Sequence, residues 1–293
     1  MTRCWHGRVF AALGRWVGGR SPAKTQALAR MLARLPLVNS KRRRIAATNI
    51  DLCFPHLDDA ARKELLANTL VSNTTGVLET LRGWFATPAQ LAGQVDIVGL
   101  EHLHAALAEG RGVVVVGAHY DGIELAMRHV ADASGRPMPI LVRRHNDACI
   151  EAAVASARGT YAGATYDKKD IAGFTAAVRN GRGVFYVPDQ NAARRTVFVP
   201  FLGVQAATLG AIGGVLQRAG GRVLLMWAGR DADGRQHIDL QPAWPGWPEA
   251  DDSATAARYM AWVGERLQAA PEQYLWVHRR FKTRPPGEPS VYR

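Results

Sequence analysis

Val113–Val116 is an uninterrupted run of four valines. It is followed by Gly-Ala-His-Tyr-Asp-Gly and then by an apolar helix start, Ile-Glu-Leu-Ala. Four consecutive β-branched residues leave no polar face, so this segment must be a strand buried on both sides. Such a strand belongs inside an α/β layer structure, and the turn after it opens at the carboxyl edge of the sheet, where ligands bind. His119 stands in that turn, with Asp121 and Glu124 behind it. On a continuous helix, residues five apart are separated by about 140°. His119 and Glu124 can therefore meet only if His119 stays in the loop and Glu124 opens the helix. Two readings fit. In one, Glu124 holds the far ring nitrogen of a histidine base, fixing its tautomer and stabilising the imidazolium. In the other, Asp121 is an N-cap and Glu124 completes a capping box. No serine or cysteine adjoins His119, so the nucleophile of the first reading is a substrate hydroxyl.

The rest of the chain supports the α/β reading. Strand candidates Val95–Val98, Val113–Ala118, Pro139–Val142, Gly183–Val187, Arg222–Ala228 and Ile238–Leu240 alternate with helical segments. The helices expected between and after them are Glu101–Glu109, Gly122–Ala133, Asp147–Ala157, Lys169–Arg179, Ala207–Ala219 and Ser253–Ala270. Before residue 94 the pattern is helical, with segments at Ala23–Leu35, Ser40–Leu52 and Asp58–Leu81. The expected fold class is α/β: a mixed, mostly parallel sheet flanked by helices, with an N-terminal helical segment. Residues 1–93 form the helical, membrane-associating segment and residues 94–293 the α/β part, together one compact unit. At 293 residues and 47% hydrophobic, the chain can bury a large core.

The formal charge is +12, a field that attracts polyanions, anionic membranes or acidic proteins without choosing among them. A helix through "WHGRVFAALGRWVGG" places Trp5, Val9, Phe10, Leu13, Trp16 and Val17 on one broad face, with Arg8 and Arg15 opposite. That face suits either the headgroup layer of a membrane or a protein core; Gly14, Gly18 and Gly19 weaken the helix in both cases. No apolar run approaches the roughly 20 residues that cross a bilayer. Neither a signal peptide nor, with only Cys4, Cys53 and Cys149, a disulfide framework or zinc signature is expected. The cysteine usage fits a reducing compartment.

Three further stretches carry a resemblance: "KRRRIAATNIDLCFP" (41–55), "VFYVPDQNAARRTVFVPFLGVQAATLG" (184–210) and "PEQYLWVHRRFKTRPPGEPSVY" (271–292). With "GAHYDGIELA" they resemble the lipid A late acyltransferases of Gram-negative bacteria, part of the wider lysophospholipid acyltransferase family with its His-x4-Asp/Glu motif. The resemblance runs from about Ser40 to the C-terminus. It implies transfer of a fatty acyl group from acyl carrier protein to a hydroxyl of an acylated glucosamine lipid. In that reading His119 is the base and Glu124 its orienting partner. Arg144, Lys168, Asp189, Arg279 and Arg280 are the candidate substrate-binding residues. Asn191 stands where a second aspartate is common in the family, and Lys168, in "DKKD", replaces an arginine, keeping the charge but losing the planar fork.

The resemblance further implies no metal and no cofactor beyond acyl carrier protein as acyl donor, an anionic lipid acceptor, no nucleic acid, and the cytoplasmic face of the inner membrane. The oxyanion of the transfer would need preformed donors, either backbone amides near Gly117–Tyr120 or an arginine. The small-residue stretch Ala207–Ala219 either packs closely or walls an acyl chain. The basic "HRRFKTRPP" is either solvated or faces phosphate, while Tyr274 and Trp276 are core. Alternatives remain: a lysophospholipid or an amino-acid-containing lipid as acceptor, water as acceptor in a thioesterase, or a non-catalytic basic protein binding membrane or nucleic acid.

Overall fold

A computed structural model describes residues 4–35 and 40–292. The chain opens with helices α1 (Trp5–Gly18), α2 (Pro22–Ala33), α3 (Ser40–Cys53), α4 (Asp59–Phe85) and the short α5 (Pro88–Leu91). Side-chain oxygens start three of them. Ser21 accepts from the Lys24 amide, Asp58 accepts from Ala61, and Thr87 forms a capping box with Gln90. Strands and helices then alternate: β1 (Val95–Val98), α6 (Leu100–Ala108), β2 (Val113–Val116), α7 (Ile123–Ser134), β3 (Ile140–Val142), α8 (Ala148–Ala162), β4 (Thr165–Asp167), α9 (Ile171–Arg179) and β5 (Gly183–Tyr186). A hairpin of β6 (Thr196–Phe201) and β7 (Val204–Leu209) follows, then α10 (Ile212–Ala219), β8 (Arg222–Arg230), β9 (Gln236–Pro242) and α11 (Asp252–Leu267).

Seven strands form one sheet in the order β1-β9-β8-β2-β5-β3-β4. All neighbours are parallel except β8 and β9, so the sheet is mixed and mostly parallel, as expected. β2 lies at its centre, and all four valines are fully buried. Ile50, Cys53, Leu65, Leu66 and Leu70 from α3 and α4 belong to the same apolar cluster as these valines, so the helical segment shares the core of the sheet.

Several elements depart from expectation: α5, β4 and β6 have no expected counterpart, and β7 replaces the start of an expected helix. Ala207–Leu209 is strand rather than helix. Leu202 and Gly203 both have positive φ, which makes a two-residue turn between Phe201 and Val204 and sends the chain back as β7. β4 is three residues long, too short to show a period.

A further departure is in α1. Its inward face is made of glycines: Gly7, Gly14 and Gly18 are buried, and a Cβ at Gly14 would sit 2.1 Å from Phe85 Cδ2. These glycines let α1 approach α4 and α8 closely. Phe10 and Val17 turn inward with them, whereas Trp5 (67% exposed), Val9, Leu13 and Trp16 form an outward stripe. The apolar face expected to act as a unit is thus split. The cysteine reading is corrected too: Cys4 and Cys149, 145 residues apart, form a disulfide with a Cα–Cα distance of 5.4 Å. Spacing alone cannot show such a pairing, because only the docking of α1 beside α8 brings the two together.

Candidate active site

β2 and β5 are adjacent and parallel, with Val116 opposite Tyr186. Both chains leave the sheet at its carboxyl edge, and three residues further on they reach His119 and Asp189. Continuing the strand register by three therefore sets these two side by side. The Asp189 carboxylate accepts the backbone N–H of His119 at 2.9 Å through Oδ2 and faces His119 Nδ1 at 2.5 Å through Oδ1. Tyr274 Oη also donates to Oδ2, at 2.9 Å. Burial of Asp189 would raise its pKa, but the charge and hydrogen bonds of His119, with help from Tyr274, bring it down to about 2. A carboxylate that stays ionised on Nδ1 makes that nitrogen the proton-bearing one, which leaves Nε2 with a lone pair. The His119 side chain is 28% exposed and Asp189 is wholly buried: one end of the pair is accessible and the other is fixed.

The His119 turn is held from behind by the C-terminal segment. Leu275 donates its amide to His119 O at 3.0 Å, and Asp121 donates its amide to Gln273 O at 2.7 Å. Tyr259 Oη donates to Gly117 O at 2.6 Å. Asn49, in the "ATNID" stretch of α3, donates to the carbonyls of Trp276 and His278 and so anchors that segment in turn.

Glu124 is not the carboxylate at His119. It opens α7, where it takes Arg158 Nε at 2.7 Å, Arg158 Nη2 at 3.0 Å and Tyr161 Oη at 2.7 Å, all from α8. Burial pushes its carboxyl up, but the Arg158 and Tyr161 contacts outweigh this and hold it below the ordinary value. Gly122, not Asp121, precedes α7, with φ +82 in the left-handed region. A Cβ at Gly122 would lie 2.2 Å from Glu79 Oε2, so only glycine fits.

Asp121 is not a cap. It is buried, accepting from Ser72 Oγ at 2.7 Å and Asn73 Nδ2 at 3.1 Å, 4.0 Å from Arg230. Arg230 in turn donates to Glu79 at 2.8 Å. Desolvation raises Asp121 to about 7 despite Arg230, and Glu79 is raised by the same cause.

The remaining candidates separate into groups. Arg144 follows β3, and Lys168 follows β4, its amide donating to Val142 O at 2.8 Å. Both are exposed. The order β2-β5-β3-β4 thus sets His119, Asp189, Arg144 and Lys168 along one carboxyl edge. Arg279 lies over the Tyr292 ring and lines a cavity of ≈ 350 Å³ with Lys41 and Arg44 from α3. Arg280 cannot face substrate. It is 1% exposed and spends its guanidinium on Ala207 O and Thr208 Oγ1 of β7, both at 2.7 Å.

Asn191 bonds Thr283 through both ends of its amide and donates its backbone N–H to His278 Nε2 at 3.3 Å. His278, which sequence reasoning passed over, is pushed down to about 4 by burial and so is neutral beside the pair. Of the amides expected near an oxyanion, those of Gly117, His119 and Tyr120 are already engaged, with Tyr186 O, Asp189 and Ala118 O respectively.

Residues 2–283 match the family model described as bacterial lipid A biosynthesis acyltransferase. The chain is 35% identical over 269 residues to the lipid A biosynthesis lauroyltransferase of Escherichia coli (strain K12), covering 89% of this chain and 86% of that protein. It is 34% identical over 258 residues to the palmitoleoyltransferase of the same organism, covering 86% and 82% respectively. Its identity to the myristoyltransferase of that strain is 27% over 262 residues, 88% of this chain and 80% of the other. This chain belongs to the bacterial lipid A biosynthesis acyltransferase family.

Proposed function

We propose that the protein transfers a fatty acyl chain from the thioester of acyl carrier protein to a hydroxyl of an acylated glucosamine lipid, a lipid A precursor, with His119 as general base. The observation that carries this reading is the His119–Asp189 pair beyond the carboxyl ends of β2 and β5, with no serine or cysteine adjoining His119 in the sequence. His119 Nε2 takes the proton of the acceptor hydroxyl as its oxygen attacks the thioester carbonyl. Asp189 holds Nδ1–H and stabilises the imidazolium. Collapse of the tetrahedral intermediate forms the ester and breaks the C–S bond, and the imidazolium returns its proton to the departing thiolate.

With three of the nearby amides committed, the oxyanion is assigned to a side-chain cation on the same edge, for which Arg144 is the candidate. Arg144, Lys168 and Arg279 also supply positive charge for phosphate on the acceptor. Glu124 acts through Arg158, bracing α7 against α8 at the edge of the site.

The outward stripe Trp5, Val9, Leu13 and Trp16 on α1 supports binding in the headgroup layer, here assigned to the cytoplasmic face of the inner membrane. Among the described residues no helix is long and apolar enough to cross a membrane. The function is tested by incubating the protein with a panel of acyl carrier protein thioesters and tetra-acylated lipid A precursor, with mass spectrometry of the product. A single added acyl chain on the precursor is expected. Acylation of a lysophospholipid, with none of the precursor, would replace the acceptor.

A further inference from the structure

Away from the His119 edge, four side chains of metal-ligating type converge where α1 meets α8. Cys4 precedes α1 and His6 lies in its first turn, while Asp147 caps α8 and Cys149 lies in its first turn, so that a Cys-x-His faces an Asp-x-Cys. His6 Nε2 is 3.2 Å from both carboxylate oxygens of Asp147. Ligand atoms of His6, Asp147 and Cys149 all lie within 4.8 Å of one another, and Cys4 is bonded to Cys149. We propose that, once the disulfide is reduced, Cys4, His6, Asp147 and Cys149 form a structural zinc site that pins α1 to α8.

The geometry and the donor set agree on the ion. Around a tetrahedral zinc with bonds of about 2.0–2.1 Å to nitrogen and oxygen, those two ligands stand about 3.3 Å apart. His6 and Asp147 already do so. Two thiolates with one imidazole and one carboxylate suit a borderline-soft divalent ion and not calcium or magnesium. Asp147 Oδ1 is occupied in capping α8, accepting from the Cys149 and Ile150 amides at 2.9 Å each, which leaves Oδ2 for a cation. Three anionic ligands on Zn²⁺ leave one net negative charge between two helix N-termini, where the helix dipoles favour it and where thiols deprotonate readily. The helices are also shaped for the contact, since a Cβ at Gly7 would lie 2.7 Å from Cys149 O.

Reduction by a phosphine gives two thiols and the phosphine oxide, its oxygen coming from water. Binding of Zn²⁺ then releases the two thiol protons. The full chain, reduced this way and freed of metal, is titrated with Co²⁺ alone and then with Zn²⁺. One equivalent of Co²⁺ should give the visible bands of a tetrahedral site together with thiolate charge-transfer absorption, and Zn²⁺ should displace it. Cys4→Ser and Cys149→Ser should each weaken the charge-transfer absorption, and the two together should abolish it. His6→Gln should weaken Zn²⁺ binding by at least the roughly 10- to 100-fold that follows loss of even an outer-shell partner. In the unmutated chain Zn²⁺ should also protect Cys4 and Cys149 from alkylation, a readout that needs no variant; Cys53 is buried and serves as the internal reference. A reduced, folded protein with no thiolate–cobalt band overturns the proposal, as does a band that survives both cysteine substitutions or alkylation of Cys4 and Cys149 unaffected by Zn²⁺.

Discussion

Asp189 takes two hydrogen bonds from one residue, the backbone N–H of His119 at 2.9 Å and its ring Nδ1 at 2.5 Å. Backbone and ring are gripped by the same carboxylate, which fixes the position of the imidazole as well as its tautomer. The grip depends on strand register, since Val116 opposite Tyr186 is what brings residues 119 and 189 level.

Glu124 and Arg158 make a bidentate pair in which both side chains are largely buried. Glu124→Ala leaves the arginine without its partner, and loss of one member of a buried pair costs about 3–5 kcal/mol. Urea denaturation should show a loss of that size. A change under 1 kcal/mol would mean that the pair is not structural.

Arg280 is a structural residue within a basic stretch. Arg280→Ala removes charged donors to Ala207 O and Thr208 Oγ1 and should cost about 2–4 kcal/mol. Arg144→Ala is expected to leave stability within about 0.5 kcal/mol, as for an exposed position, while lowering kcat by roughly 10²–10³-fold as loss of an oxyanion donor does and raising KM for the lipid acceptor. Thermal melts and steady-state kinetics on the two variants separate these outcomes.

Two buried aspartates give opposite pH dependences. The folded pKa of Asp189, about 2, lies below its ordinary 3.8, so its contribution is present above pH 4 and lost as pH falls through 2. At 1.36 kcal/mol per unit this amounts to about 2 kcal/mol. Asp121, raised from 3.8 to about 7, has the opposite sign. Its contribution is complete below pH 4 and is lost as pH rises through 7. Stability measured by urea denaturation from pH 4 to 8 should therefore decline less in Asp121→Asn than in the parent. Parallel curves would contradict the assignment.

The stripe on α1 predicts lipid binding without a stability cost. Trp5→Ser with Trp16→Ser removes two exposed rings, each worth about 1.5–3 kcal/mol when buried. Partitioning onto vesicles containing anionic lipid should fall by two or more orders of magnitude while the melting temperature stays near that of the parent. Unchanged vesicle binding would move the membrane contact elsewhere.

What could be read from the sequence was local. Four valines announce a central strand by themselves, and the strand-helix alternation after residue 94 specifies a mixed, mostly parallel sheet. His119 stands out because it follows that strand. Its partner did not, since Glu124 is five residues away and Asp189 seventy, and only the pairing of β2 with β5 shows which carboxylate arrives. The same holds for Arg280, indistinguishable from Arg279 until the hairpin packs over it, and for Cys4 and Cys149. In α1 the apolar period was visible, but the glycines that take the inward face turn the tryptophans outward, a choice made by packing against α4 and α8.

The central claim is that Asp189, rather than Glu124, orients His119, and single-turnover acyl transfer to the lipid A precursor tests it most directly. Asp189→Asn, with its fold verified, should slow transfer by roughly 10³–10⁴-fold, as loss of the orienting carboxylate does in a catalytic triad. Glu124→Gln, which can still accept from Arg158, should fall far less. A near-normal rate for Asp189→Asn beside a collapsed rate for Glu124→Gln would contradict the account.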